Sequence, residues 1–352
     1  MKIKLAAAAA TALLAAGAQA QSSVTLYGVA DAGIEYLSRD GGNNSNVRVQ
    51  SGNGVTTGSW WGLRGTEDLG GGMKGLFVLE SGFDIDTGAS NGGRLFNRQA
   101  YLGLQAGFGA LTLGRHQTPI YDFTLAFDPM AADVQYSIVN MDAAMASRAD
   151  NSLKYTGKYG GLTASALYST GYDMTAVPGF GAGEIPGDYK SGRQYAASLR
   201  YTAGPLDLGL VYDLRQPNGL LKDQRAALAA SYAVGPAKVY AGYRWENLTG
   251  LGHGAFHRSN IYWLGMGYQV TPALTLKGSV YYQDYGHTGA DPLVLVASAD
   301  YAFSKRTSAY LNMGYVWNQT DKGLGSTVSL GGTGVTAGDN QFGAMMGVRH
   351  RF

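Results

Sequence analysis

Residues 273–284 read ALTLKGSVYYQD. Successive side chains of an extended chain point to opposite faces. Leu274, Leu276, Gly278, Val280 and Tyr282 therefore share one side, and Thr275, Lys277, Ser279, Tyr281 and Gln283 the other. One face is apolar and ends on an aromatic ring; the other is polar and charged. The pattern recurs upstream, where Tyr262, Leu264, Met266 and Tyr268 alternate with Trp263, Gly265, Gly267 and Gln269. It closes the chain, where Phe342, Ala344, Met346, Val348, His350 and Phe352 oppose Gly343, Met345, Gly347, Arg349 and Arg351. A soluble sandwich would have to hide such faces and blunt its edges. A sheet in lipid must pair every backbone N–H and C=O within the protein, so it has to close on itself.

Working outward, the sequence holds sixteen strand candidates, near 24–38, 55–67, 73–83, 95–107, 110–117, 151–159, 161–170, 193–203, 205–214, 225–235, 236–246, 258–270, 273–284, 293–303, 306–317 and 339–352. Between them, short turns rich in Gly and Pro, such as 68–72, 106–109, 203–205 and 234–236, alternate strictly with longer polar connections near 39–54, 84–94, 118–150, 171–192, 215–224, 247–257, 285–292 and 318–338. That rhythm predicts an all-β, sixteen-stranded, antiparallel up-and-down transmembrane barrel, with tight turns at one end and loops at the other. Sixteen strands enclose a lumen wide enough for water. Tyr27, Tyr155, Tyr168, Tyr201, Tyr212, Tyr232, Tyr243, Tyr268, Tyr282, Tyr301, Tyr315 and Phe352 sit near strand ends, where aromatic belts meet the headgroups. Only a single turn of helix, at 142–148, is expected.

The first 20 residues stand apart. Lys2 and Lys4 precede an apolar run from Leu5 to Ala16, and Ala18-Gln19-Ala20 fits a cleavage site, so 1–20 reads as a secretory leader. The barrel domain would then span 21–352. The chain carries 27 basic and 25 acidic residues; without the two leader lysines the balance is 25 against 25. A nucleic-acid partner, which needs a basic surface, is not expected. The chain has no cysteine, which removes disulfides and thiolate metal or redox motifs. The 53 glycines follow no three-residue period, which excludes collagen.

No catalytic constellation is visible. His116, His253, His257, His287 and His350 lack zinc-protease spacing. The His253–His257 pair lies in a glycine-rich loop. There is no nucleophile-elbow or phosphate-loop motif. The chain is expected to be a channel, not an enzyme, with neither cofactor nor metal.

Several blocks resemble the trimeric general porins of Gram-negative bacteria, of the neisserial and burkholderial type. They are residues 23–33 (SVTLYGVADAG), 62–72 (GLRGTEDLGGG), 97–104 (NRQAYLGL), 112–115 (TLGR), 148–155 (RADNSLKY) and 347–352 (GVRHRF). The resemblance implies an outer-membrane location and a homotrimer in contact with lipid and lipopolysaccharide. It implies a third loop, 118–150, folded into each lumen as a constriction. It also implies that the terminal Phe352 is read by the outer-membrane assembly machinery. The sequence supports the loop independently, because Phe123, Leu125, Phe127, Met130, Ile138, Met141 and Met145 would form an odd exposed apolar patch unless something covered them.

Such a pore selects by width and by the field at its narrowest part. Parity places Trp60, Gly62, Arg64 and Thr66 on one face, Lys74 with Glu80, and Arg148 with Asp150, Ser152 and Lys154. Arg98 is a further wall candidate. Arg115 shares parity with Leu111 and Leu113, so only the family pattern argues for it. On the loop the acids are Asp122, Asp128 and Asp133, and the expected picture is a basic wall facing an acidic loop. Family members often carry Arg where Trp60 stands, so the constriction is expected to be narrower or less anion-favouring, tuned to a hydrophobic or ring-shaped solute. The reading is passive diffusion of ions and small hydrophilic solutes. The alternatives are a channel selective for one anionic or sugar-like solute, or an adhesin or receptor acting through the long outer loops.

Overall fold

The computed structural model describes residues 23–51, 58–173, 184, 186–217, 221–250, 258–286, 291–319, 327–330 and 334–352. The leader expected at 1–20 and the His253–His257 pair lie outside them. The strands are β1 (Ser23–Leu37), β2 (Asn46–Ser51), β3 (Ser59–Gly70), β4 (Met73–Phe83), β5 (Gln99–Ala106), β6 (Gly109–Gln117), β7 (Arg148–Tyr159), β8 (Leu162–Tyr172) and β9 (Arg193–Ala203). They continue with β10 (Leu206–Gln216), β11 (Lys222–Val234), β12 (Ala237–Thr249), β13 (Arg258–Gln269), β14 (Leu274–Asp284), β15 (Leu293–Ala302), β16 (Thr307–Trp317) and β17 (Gln341–Arg351).

From β3 onward each strand pairs antiparallel with the next, and β17 returns to pair with β1. The other edge of β1 is shared: β3 covers Ser23–Val29 and β2 covers Ala32–Leu37. Together β2 and β3 form one stave, which makes a closed barrel of sixteen. The second strand, expected at 55–67, thus begins at Ser59, and its upper half is the separate segment β2. That segment alternates like a strand, but it is six residues long and follows the turn-forming run 41–45, which hid it.

Closure is completed by the chain end. Gly28 and Phe352 exchange both backbone hydrogen bonds at 3.1 Å, and the Phe352 ring lies over Gly28. A Cβ at Gly28 would fall 2.6 Å from both that ring and the Trp60 carbonyl oxygen.

Alternation holds along the staves. Leu264 and Met346 are about 60% exposed on the outer face, whereas Tyr281, Gln283 and Met345 are buried inside. Exposed rings form two belts. Tyr159, Tyr201, Tyr232, Tyr268 and Tyr301 lie at the turn end; Tyr168, Tyr195, Tyr212, Tyr262, Tyr282 and Trp317 lie toward the loop end. Tyr27 departs from the expected belt. It lies on the inner face with Asp31 and Glu35, and its hydroxyl donates to Glu80 Oε1 at 2.8 Å.

The third loop runs inside. Thr118 caps helix α1 (Pro119–Phe127) by accepting from the Tyr121 N–H, and Pro119 occupies the first turn, where its missing N–H costs nothing. The sequence predicts loop over these residues, and the structure forms a helix there. The turn expected at 142–148 appears as a 3-10 turn over Ala143–Ala146. Glycines on the inner wall receive the loop. A Cβ at Gly209 would strike the Phe127 ring, and one at Gly265 would lie 2.6 Å from Pro129. The Trp263 indole donates to the Phe127 carbonyl at 3.0 Å, and the Tyr281 hydroxyl to Asp128 at 2.6 Å. Tyr136 is buried beside Leu330, Gly314 and Gly343.

Overpacking a filled site costs about 1–3 kcal/mol, so Gly28→Leu should hinder closure. On refolding into detergent, the fraction migrating as folded barrel in unheated gel samples is expected to fall well below wild type. An equal folded fraction would show that seating Phe352 is dispensable.

Candidate functional site

The loop is seated against β8–β17 and leaves a passage between itself and the β3–β7 wall. Two cavities occupy this passage. One, of about 420 Å³, is lined by Gln50, Ser59, Arg98 and Arg148 from the wall and by Val134 and Gln135 from the loop, with Asp84 and Asp86 on the connection after β4. The other, of about 370 Å³, is lined by Arg94, Arg115, Arg148 and Asp173 and by Tyr121, Val139, Ala143 and Ala146 of the loop. Asn97, Val134 and Arg148 belong to both.

Trp60 and Arg64 oppose Val29 and Thr25 of β1 across the register, and Glu80 opposes Gly62. All are on the inner face. Glu80 accepts from Tyr27 and, at 3.0 Å, from Gln99, with the Arg98 guanidinium 3.6 Å away. Lys74 pairs across from Asp68 and Gln105 near the turn end. It is not brought to the passage.

Arg115 reaches the interior despite its parity. The β6–β7 register shifts between Gly114 and His116, and Gly114 sits at φ 139°, a conformation that costs glycine little. This bulge re-aims the next side chain. Arg115 donates to the Asn97 carbonyl at 2.8 Å, to Asp150 at 2.6 Å and to Asp173. Arg94 also meets Asp150, at 2.7 Å. Arg148 differs from these: it packs over the Tyr121 ring at 5.3 Å, and no carboxylate lies within ion-pair distance of it among the described residues.

The loop acids do not form the expected opposing face. Asp122 is neutralised by Lys154, 2.6 Å away. Asp128 accepts from the Met130 and Ile138 amides and from Tyr281. Asp133 accepts from the Gln135 and Tyr136 amides at 2.8 and 3.0 Å. Both are buried, so they shape the loop's turns, and the surface the loop turns toward the arginines is Val134, Val139 and Ala143.

A second cluster of charges, not expected from the sequence, joins the loop to the far wall. Asp142, on the returning limb of the loop, meets Arg225 at 2.8 Å and Arg244 at 3.1 Å. Asp223 lies 2.6 Å from Arg225 and 2.8 Å from Arg215, and Glu246 pairs with Arg225 and Arg244. Burial alone would raise the Asp142 carboxyl; the Arg225 and Arg244 guanidiniums outweigh it and hold that carboxyl well below the usual range. Parity within β10, β11 and β12 carries the signal for the wall members. Asp142 becomes their partner only through the loop's path.

Burial pushes the Asp133 carboxyl up to about 8 and Asp128 up to about 6, against roughly 3.9 in an unfolded chain. The folded protein therefore binds more protons between those limits, and stability falls as pH rises through that window. Asp133→Asn keeps an acceptor for both amides. The thermal unfolding midpoint, followed by circular dichroism, is expected to drop less between pH 5 and pH 8.5 in this variant than in wild type. Equal drops would contradict the assignment.

Comparison with known proteins converges on one family. A profile described as Gram-negative porin matches residues 6–322. An outer membrane porin protein of Bordetella pertussis is 33% identical, with 100% of each chain covered. Outer membrane porin protein 32 of Delftia acidovorans is 32% identical over 97% of this chain and 98% of its own. Among solved structures, the anion-selective porin from Comamonas acidovorans superposes with a TM-score of 0.77 at 28% identity, covering 94% of this chain and 100% of that one.

Proposed function

Since the chain belongs to the Gram-negative porin family and forms a channel for small solutes across the outer membrane, we propose that this channel favours small anions and works as a homotrimer. The observation that carries the anion preference is Arg148. It borders both cavities, has Arg98 and Arg115 as neighbours, and faces loop residues that bear no charge. A guanidinium with no carboxylate partner among the described residues keeps its field and its donors for a passing solute. Asp84 and Asp86 border only the cavity nearer β2 and β3, so the two cavities have Arg148 as their shared charge. The anion-selective porin from Comamonas acidovorans, with a similar fold throughout, supports the same reading.

The outer surface supports assembly. Apart from Tyr36, the exposed tyrosines of the strands come from β7–β15. Over β1–β6 the exposed face is aliphatic, with Val24, Leu26, Leu102, Leu104, Leu111 and Leu113. Aromatic belts mark headgroup contact, so their lapse over one flank fits a surface covered by neighbouring subunits. The leader at 1–20 would direct export, and Phe352, whose ring lies against Gly28 at the barrel seam, would serve the assembly machinery.

In planar bilayers with a KCl gradient, the wild-type reversal potential is expected to report chloride permeability several-fold above potassium. Arg148→Gln should at least halve that ratio. A potassium preference in the wild type would refute the reading. Chemical cross-linking of the detergent-solubilised protein should stop at three subunits; a product limited to one subunit would refute the trimer.

A further inference from the structure

One wall of the passage carries cations and rings in alternation. The Arg98 guanidinium lies 4.9 Å from the centre of the Trp60 ring. The Tyr27 ring meets Trp60 edge-on, 5.3 Å between centroids at 80°. The Arg64 guanidinium lies 4.7 Å over Tyr27. These four side chains form one continuous ladder on β1, β3 and the residue before β5. Its upper rung, Arg98, borders the 420 Å³ cavity together with Arg148. Its lower rung, Arg64, borders a third cavity of about 250 Å³ near the turn end, with Tyr101.

We propose that this ladder makes the passage a binding track for planar aromatic monocarboxylates, of the benzoate type. The inference deepens the anion-preferring reading and rests on it. A guanidinium is flat and stacks on aromatic faces while its edge donors bind carboxylate. Arg98 has Trp60 against one side and Glu80 3.6 Å away, and the edge left between them borders the cavity. A flat ring entering the cavity meets that guanidinium, and its carboxylate falls toward Arg148. Moving down the wall, the solute exchanges one cation or ring face for the next without losing contact. A site of this kind discriminates by flatness and π-character, since a saturated ring of equal charge and similar size can satisfy Arg148 but gains little from cation–π or stacking contacts.

The test uses the full folded channel in planar bilayers, with chloride current read at pH 7 while benzoate, cyclohexanecarboxylate or acetate is added. Benzoate is expected to reduce the current with saturation, at a half-blocking concentration at least threefold below that of cyclohexanecarboxylate, and acetate should show no saturation. A ratio below threefold in the wild type overturns the proposal and needs no variant. Trp60→Leu should bring the two ring acids within twofold of each other. The ratio is taken within each protein, so a change in conductance cancels; a ratio kept at threefold or more in this variant also overturns the assignment to the ladder. Failure of the underlying anion reading is seen separately, as a potassium preference in the KCl gradient without organic acid.

Discussion

An unpaired peptide group in hydrocarbon costs several kcal/mol, and that single penalty organises this molecule. It forces the sheet into a ring, so β17 must find β1. It requires the last residue to be hydrogen-bonded, which Phe352 achieves against Gly28. It turns the apolar face outward and leaves the polar face to an enclosed solvent. All discriminating chemistry therefore lies on the inner surface, where one stave in three dimensions offers only alternate residues to a solute.

The inner surface is divided in use. From β8 round to β17 it seats the third loop, through glycine recesses for Phe127 and Pro129 and through ion pairs to Asp142. Buried charge pairs pay a desolvation penalty and are weak sources of net stability. Their effect here is positional: Asp142 can satisfy two guanidiniums only where the returning limb now lies. Apart from the contacts of Lys154 with Asp122 and of Arg148 with Tyr121, the wall from β3 to β7 faces the passage.

The strand pattern was legible because two-residue alternation and the long–short rhythm of connections are local properties. The strands from β7 to β17 start and stop within a few residues of where Gly, Pro and polarity place them. The third loop was legible from its apolar content, which had to be covered. What failed were features set by contact between distant segments. Tyr27 is an exception, since its parity with Asp31 and Glu35 already turns it inward, where its hydroxyl meets Glu80. Arg115 has outward parity, and only the bulge at Gly114 turns it. Asp128 and Asp133 read as field-setting acids, but the amides that consume them belong to the loop's own turns. The segment β2 was lost because its pairing with β1 spans a polar, glycine-rich stretch.

This division has an evolutionary corollary. Most residues that hold the loop in place and those that line the passage lie on opposite arcs of the same cylinder, with the Asp122–Lys154 pair and the Tyr121–Arg148 contact reaching across. Trp60 lies on the passage-facing arc, away from the glycine recesses and the Asp142 ion pairs that seat the loop. Side chains on that arc can therefore vary while the width set by the seated loop is kept.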